Sequence, residues 1–385
     1  MAILCSCESG WFVSHDKLVE SWFGDCDFPE VAQPSAMKLK DALFDIRTPF
    51  QMDSAAQKQA AMLSASDGSM PSSKAAQRRR RRQPTKDDVP LTAFVQPGSW
   101  IKRAACEIVS AAVARGHLDA TPTTQQELAG NNAAAREAAA SLASCVLRDS
   151  EAPVCVGGPM TRRATLVRTF LVPAGARAQL GDIRQLAAFL TGSYNFILVD
   201  PPWENKSAKR KRSYATLSRD ELLLALPLSR LACPEGCLVA VWCTFNAAHL
   251  DFVVRRLLPS WGLPYLTTWY WVKVTKHGEP VRPFDCPHKK PVELLVFGGS
   301  AADALPRDKV LVSVPSSVHS HKPPLSGTQA ATLGPLRTCQ FLKTDCHMPF
   351  YSLAMVLLRS INTCFGHIFS KGKLVLLCII CVHEL

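Results

Sequence analysis

An aspartate, two prolines and a tryptophan follow an apolar run in FILVDPPW, residues 196–203. A buried strand would place the Asp200 carboxylate at the sheet edge where open α/β proteins bind ligands. Pro201 and Pro202 have fixed φ angles and no backbone N–H, so their carbonyls stand as acceptors in a stiff loop. Asp200 and the Pro201 carbonyl could accept both hydrogens of one amine while Trp203 stacks on the ring that carries it. The motif predicts a clamp for an amino-bearing planar ring; the alternative is a plain strand-to-loop turn.

An adenine N6 amine would gain reactivity in such a clamp. Its lone pair is delocalised into the ring, and two acceptors pulling on its hydrogens favour the pyramidal geometry that frees the pair. Stacking of a base on Trp203 would contribute about 1–3 kcal/mol.

A cluster of basic residues follows the clamp, in ENKSAKRKRS at residues 204–213. A phosphate backbone entering the site would pass this loop, and cations there would bind it. The net charge of +12 likewise favours an anionic partner, of which nucleic acid is the commonest. The loop therefore predicts a nucleic-acid contact, and the alternative is a solvated loop. Its basic residues are Lys206, Lys209, Arg210, Lys211 and Arg212.

Short apolar runs alternate with helical patterns from residue 165 onward, which indicates a parallel α/β sheet with crossover helices. Continuous apolar runs suit strands that are covered on both faces. One helix, with Ser218 and Glu221 in capping-box spacing, is predicted to end at Pro227. A second is predicted to begin at Asn246 and to end before Pro259. Strands are predicted at 196–199, 237–244, 265–274, 292–298 and 309–314.

The regions before the sheet carry no catalytic motif. Residues 1–90 are predicted to be largely disordered, because their long polar stretch buries too little surface to offset its ordering entropy. Within them, the basic run 78–82 indicates a nuclear import signal or a nucleic-acid arm, with a solvated linker as the alternative. Residues 91–160 are predicted to form an alanine-rich helical flank, broken at 116–124.

Cysteine spacing and hydropathy indicate the compartment. Fifteen cysteines are scattered without a disulfide-like framework, and the N-terminus lacks a secretory signal pattern, so we expect free thiols. The longest apolar run, 374–382, is half of the roughly 18 residues that a membrane-spanning helix needs, so no membrane partner is expected. Four residues have zinc-like spacing, but buried free cysteines are ordinary in apolar runs, and we expect no metal site. They are Cys364, His367, Cys378 and Cys381.

The stretch ILVDPPW resembles the catalytic motif of the MT-A70 family of adenine N6-methyltransferases, and ENKSAKRKRSYATLS is similar to its methyltransferase-like four branch. The resemblance covers residues 165–326, within a predicted domain at 161–326. It implies a Rossmann-like class I methyltransferase fold in permuted form, with S-adenosylmethionine as donor. The implied acceptor is adenine in RNA, small nuclear RNA being favoured, with DNA as the alternative. We expect a monomer located in the nucleus, with the cytoplasm as a second location.

The resemblance also implies roles for single residues. Asp182 and Ile183 match positions near the adenine of the cofactor, and Lys322 matches a lysine at its methionine end; outside this context Lys322 would be read as solvated. Tyr214 matches an aromatic residue of the loop that closes over the site, and Glu293 matches a carboxylate that lines the substrate pocket. The catalytic motif itself is matched by Asp200, Pro201, Pro202 and Trp203.

Residues 327–385 depart from this resemblance. Family members continue with a helix, a strand containing an ELFAR-like segment, GW and a GNE-like segment, which supply much of the donor site. None of these is present, which indicates a splice variant or a gene-model artefact. We expect the sheet to lack a central strand, and the chain to aggregate and to bind the donor weakly or not at all. The competing hypothesis is a non-catalytic RNA-binding scaffold or an inactive isoform.

Overall fold

The fold is seen in a computed structural model, which describes part of the 385-residue chain. Only the backbone is described at 142–146, within 155–182, at 337–343 and at 375–382. The described residues are 3–15, 17, 41–50, 89–146, 155–156, 165–167, 170–172, 176–182, 194–201, 203, 223–224, 226–234, 236–286, 289–300, 305–318, 321–323, 325, 337–343 and 375–382.

One large sheet contains most of the strands in the described ranges. These strands are β1 (Ile3–Cys7), β2 (Gly10–Val13), β3 (Cys155–Val156), β4 (Thr165–Val167), β5 (Phe170–Val172), β6 (Ala176–Asp182), β7 (Phe196–Asp200), β8 (Leu238–Thr244), β9 (Tyr265–Lys273), β10 (Val292–Gly299), β11 (Val310–Ser313), β12 (Arg337–Lys343) and β13 (Val375–Val382). Eleven of them form a sheet in the order β1-β2-β11-β9-β10-β8-β7-β12-β13-β6-β3, and β4 pairs separately with β5.

The five strands predicted from apolar runs are confirmed as β7 to β11, within one or two residues of their predicted bounds. All five residues of β7 are buried, as expected of a central strand. Ile197 and Val199 pack into the core on one face of the sheet, and Phe196 and Leu198 pack into the core on the other. The continuous apolar run therefore indicates a strand that is buried on both faces of the sheet.

The sheet is mixed, and the prediction of a parallel sheet is wrong in this respect. β7 runs parallel to β8 and to β12, and β9 runs parallel to β11. β10, however, lies antiparallel between β8 and β9. The chain returns from β9 into β10 through residues 274–291, whose described part, 274–286 and 289–291, contains no helix, and a direct return of this kind gives an antiparallel pair. The α/β class itself is confirmed.

Short helices cover the sheet. Leu223 and Leu224 are helical, and the rest of the helix predicted before Pro227 lies outside the described residues. Among the helices that the structure describes, none is long and apolar enough to cross a membrane. The helices are α1 (Gly98–Ala114), α2 (Gln125–Gly130), α3 (Ala133–Val146), α4 (Leu228–Leu231), α5 (Ala247–Phe252) and α6 (Leu258–Ser260).

Asn246 caps α5 as predicted, because its side-chain oxygen accepts a hydrogen bond from the Ala248 N–H at 2.8 Å. The prediction that this helix ends before Pro259 is wrong. A π-helical turn (Val253–Leu257) joins α5 to α6, and Pro259 lies in the first turn of α6. Proline is tolerated there because a first turn does not require its missing N–H.

The first residues of the chain also join the sheet. β1 and β2 lie in the region that we predicted to be largely disordered, yet they pair with each other, and β2 pairs in parallel with β11. α1 adds Ile101 and Ile108 to the same core. The polar stretch 51–88, with the basic run 78–82, lies outside the described residues.

The tail contributes two strands to the middle of the sheet, so the expectation of a missing central strand is wrong. β12 pairs in parallel with β7, from Thr338 opposite Phe196 to Leu342 opposite Asp200. β13 pairs antiparallel with β12 on one side and with β6 on the other. The backbone edge of β7 is therefore covered by the tail.

Candidate active site

Asp200 ends β7 at the edge of the sheet where parallel strands present their carboxyl ends. Its side chain is buried, with the residue 3% exposed, and its Oδ1 lies 3.5 Å from Nζ of Lys322. The carbonyl of Pro201 accepts a hydrogen bond from the Trp203 N–H at 2.8 Å. One carbonyl lone pair is therefore used within the loop, and the second can accept from a ligand.

This carboxylate is one of four charges that form a network. Lys322 Nζ lies 2.9 Å from Oε2 of Glu293, and Lys273 forms an ion pair with the other oxygen of Glu293. The Lys273 ammonium also lies 4.4 Å from the ring centroid of Trp271. Two carboxylates and two ammonium groups thus neutralise one another at the sheet edge, which is the condition under which buried charges are tolerated.

The pKa values of the network favour its charged form. Burial by itself raises the pKa of Glu293, but Lys273 and Lys322 together lower it below its ordinary value. Burial lowers the pKa of Lys322, and Asp200 and Glu293 outweigh that effect, so the net shift is upward. Glu293 is therefore anionic and Lys322 cationic at neutral pH.

Trp203 is fixed by the protein on one side. Its Nε1–H donates to the carbonyl of Trp242 at 2.7 Å. Its ring stacks on His249, with the centroids 4.6 Å apart and the planes 22° apart, and Phe252 meets it edge to face at 6.4 Å. The face of the indole against His249 is thus occupied, and a base would stack on the opposite face.

Three of the predicted site residues lie together, beside Pro201 and Trp203. These three are Asp200, Lys322 and Glu293. Lys322 was expected at the methionine end of a cofactor, and here its ammonium lies between the two carboxylates. The remaining predicted side chains lie outside the described residues. These are Pro202, Ile183, Tyr214, Lys206, Lys209, Arg210, Lys211 and Arg212.

Asp182 is described by its backbone alone and ends β6. β6 is antiparallel to β13, which is antiparallel to β12, so β6 runs in the same direction as β7. Asp182 therefore lies at the same sheet edge as Asp200. Three strand spacings separate them, roughly 14 Å.

Several residues of the site were missed in the sequence. Lys273 ends an apolar strand as Asp200 does, and this position in the sequence could have indicated a site residue. His249 is the third residue of α5, three positions after the Asn246 cap, where a polar side chain is common. Trp242 was counted only as an apolar strand residue, although its carbonyl holds Trp203.

A basic rim adjoins the site at the end of β8. The Lys290 ammonium lies 4.9 Å from the ring centroid of Phe245, which follows β8 directly. Lys289 and Lys290 are both exposed. They precede β10, whose Glu293 pairs with Thr244 of β8 in the sheet register. The rim therefore places two cations beside the charged network.

Groups of three or more potential metal ligands do not occur among the residues that the structure describes. This statement does not cover the four residues whose spacing resembles a zinc site. Cys364 and His367 are outside the described residues, and Cys378 and Cys381 are described by their backbone in β13.

Comparisons with known proteins cover the second half of the chain. Residues 194–339 match the MT-A70 family. The N(6)-adenine-specific methyltransferase METTL4 of Mus musculus is 40% identical over 172 residues, which are 41% of this chain and 36% of that protein. The N6-methyladenosine RNA methyltransferase MTA1 of Cryphonectria parasitica is 35% identical over 204 residues, 49% of this chain and 60% of that protein. The DNA N6-methyl methyltransferase of Caenorhabditis elegans is 34% identical over 164 residues, 40% of this chain and 44% of that protein. The chain spans less than two thirds of each of these relatives.

Proposed function

We propose that this chain, whose residues 194–339 match the MT-A70 family, methylates the N6 amine of adenine in nucleic acid with S-adenosylmethionine as donor. The observation that carries the proposal is the buried Asp200 carboxylate at the end of β7, with the Pro201 carbonyl and the Trp203 ring beside it. Two acceptors and an aromatic face form the clamp that an amino-bearing base requires.

The residues of the clamp act on the amine before and during transfer. Asp200 and the second lone pair of Pro201 accept the two N6 hydrogens, which turns the nitrogen lone pair out of the ring system. Transfer of the methyl carbon from the donor sulfur to the nitrogen would place positive charge on N6. The Asp200 carboxylate would stabilise this charge, and N6 would then release one proton. No strong base is needed, so positioning accounts for most of the rate.

The described residues fit the proposed donor. An ammonium at Lys322 can bind the carboxylate of the methionine part, and Asp182 lies at the same sheet edge, at a distance of three strand spacings that an extended ligand could span. When bound, S-adenosylmethionine supplies an electrophilic methyl group on a sulfonium. Lys322 would exchange part of its contact with Asp200 for the ligand, and Asp200 would then accept from the amine.

Nucleic acid as the acceptor is supported by the basic rim of Lys289 and Lys290 and by the net charge of +12. Two of the relatives are named as an RNA and a DNA methyltransferase. We favour small nuclear RNA, because the segment resembles the methyltransferase-like four branch, with DNA as the alternative. The basic run 78–82 supports a nuclear location, and its deletion should shift the protein from nucleus to cytoplasm in cells.

The test compares Asp200→Asn with the parent on RNA and DNA oligonucleotides of one sequence, with N6-methyladenine quantified by mass spectrometry. The substitution removes the negative charge and replaces one acceptor oxygen by an NH2 donor, which should reduce turnover by about 100- to 1000-fold. Asp251→Asn on α5 is the matched control, since Asp251 pairs with Arg255 at 3.0 Å on the surface. Near-parent turnover in Asp200→Asn would contradict the clamp. A parent that binds nucleic acid without methylating it would favour the scaffold.

A further inference from the structure

A second cluster of buried polar side chains adjoins the charged network and includes a residue from the N-terminal hairpin. His15 follows β2 and is 2% exposed. Its Nε2 lies 2.9 Å from Oγ of Ser313, the last residue of β11. β2 and β11 are parallel neighbours, with Phe12 opposite Val312, so both side chains stand at the sheet edge that carries the active site.

Ser313 connects His15 to a ring of the active site. Its Oγ accepts a hydrogen bond from Nε1–H of Trp271 at 2.9 Å. The Ser313 hydroxyl can then donate its own hydrogen to Nε2 of His15, which would carry its hydrogen on Nδ1. Trp271 in turn lies against the Lys273 ammonium, at 4.4 Å from the ring centroid.

His321 completes the connection on the other side. It is 3% exposed, and its ring meets the His15 ring edge to face with centroids 5.4 Å apart. Phe44 packs against both imidazoles, at 5.4 Å from His15 and 5.8 Å from His321. The residue after His321 is Lys322. His15 therefore adjoins both lysines of the charged network, one through Ser313 and Trp271 and the other through His321.

Both imidazoles are neutral at pH 7. Burial, then His321 and Lys273, lower the pKa of His15 well below its ordinary value. Burial and then Lys322 lower the pKa of His321 to about 4. The charged groups around the pair are Lys273, Lys322 and the two carboxylates that they contact. A neutral imidazole can accept the serine hydrogen without adding a third positive charge to this network.

We propose that His15 is a positioning residue for methyl transfer, which holds Lys273 and Lys322 at Asp200 and Glu293 through Ser313 and His321. The inference rests on the proposed function for its activity readout. It goes beyond that function because residue 15 lies far outside the matched residues 194–339. The N-terminal hairpin would thus be part of the catalytic centre.

The test compares His15→Phe with His15→Gln in the full chain. Phenylalanine keeps the ring against His321 but cannot bond to Ser313, whereas the glutamine amide can reach the position of Nε2. His15→Phe should lower kcat by about 10- to 100-fold with little change in the KM for the donor. His15→Gln should restore most of the turnover. His117→Phe is the matched control. The His117 ring stacks on Phe12 of β2, the strand that precedes His15, at 6.4 Å, but His117 is exposed.

A second readout does not depend on turnover. In ¹⁵N-lysine-labelled protein, the buried Lys322 ammonium should give a slowly exchanging signal that His15→Phe weakens and His15→Gln keeps. The acid side of the pH profile should also move to higher pH in His15→Phe, by about one unit, because Glu293 loses part of its contact with Lys322.

The outcomes separate the two proposals. If the parent methylates nothing but the ammonium signal responds as expected, the proposed function fails and the structural link stands. Unchanged turnover, pH profile and ammonium signal in a folded His15→Phe would overturn the role of His15. If His15→Phe does not fold, Ser313→Ala removes the same hydrogen bond without adding volume. It should then show the same loss of kcat and of the ammonium signal, and parent-like behaviour there would also refute the link.

Discussion

Lys322→Met is expected to destabilise the folded chain by about 3–5 kcal/mol at pH 7. Lys322 is 9% exposed and contacts Glu293 at 2.9 Å and Asp200 at 3.5 Å. Methionine fills a similar volume, so the change removes the charge without opening a large cavity. The buried Asp200 carboxylate and the partly buried Glu293 carboxylate are then left with Lys273 as the remaining cation of the network, and the cost is that of uncompensated charge.

The same substitution should act in a pH-dependent way. The folded-state pKa of Glu293 lies below its ordinary value, so this group contributes stability above its unfolded pKa of about 4.3 and loses it as pH falls towards the folded pKa. Loss of Lys322 raises the folded-state pKa of Glu293. The difference between parent and variant should therefore be largest at neutral pH and shrink below about pH 4, where carboxylates become protonated.

Urea unfolding followed by tryptophan fluorescence measures this difference, because Trp242 and Trp271 are fully buried near the site. The matched control is Lys276→Met, which removes a half-exposed ammonium 3.0 Å from Asp45. Exposed pairs contribute about 0–1 kcal/mol, so the control should unfold close to the parent. Equal, small losses in both variants, with no dependence on pH, would refute the view that Lys322 holds the buried carboxylates.

Three further substitutions test the helix cap, the basic rim and the tail. Asn246→Ala should cost about 1 kcal/mol in urea unfolding, because the N-terminal amide of α5 loses its acceptor, and Asn246→Asp should keep most of that stability. Lys290→Gln should reduce the slope of log affinity against log salt for single-stranded RNA by about 0.7, with Lys102→Gln on α1 as a control of unchanged slope. Gln340→Pro should cost at least about 1–3 kcal/mol by removing a ladder hydrogen bond from a strand paired on both sides, whereas Gln125→Pro at the start of α2 should be tolerated.

The central strands and the place of Asp200 at the sheet edge could be predicted because their signals are local. β7 is a continuous apolar run that ends at the charged residue Asp200, so the sequence indicates both the burial of the strand and the point where it reaches the sheet edge. The direction of β10 could not be predicted in the same way. A buried strand has the same composition whether it runs parallel or antiparallel to its neighbours, and only the length and content of the connection distinguish the two.

The charged network depends on positions that are distant in the sequence. Lys273 and Glu293 meet because β9 and β10 pair with Trp271 opposite Glu293, so that the lysine two residues later reaches the same carboxylate. Lys322 arrives from a loop after β11. Each residue alone resembles an ordinary charged residue in a loop or near a strand terminus, and the arrangement of the strands decides that they share one site.

The strands near the two ends of the chain also take positions that their own sequences do not specify. β2 is four residues long and β12 seven, and neither has a cap, a repeat or a charge pattern that specifies its partner. Their places beside β11 and β7 follow from open backbone edges that pairing satisfies, and an open edge is a property of the assembled sheet. A tail that lies mostly beyond the matched residues 194–339 can therefore still cover β7, because the ladder needs backbone groups and an apolar, strand-forming sequence more than it needs particular side chains. Binding a donor would need particular side chains at the carboxyl edge of the sheet, beside β7. Pairing of the tail with β7 and formation of a donor site are therefore separate properties of this chain.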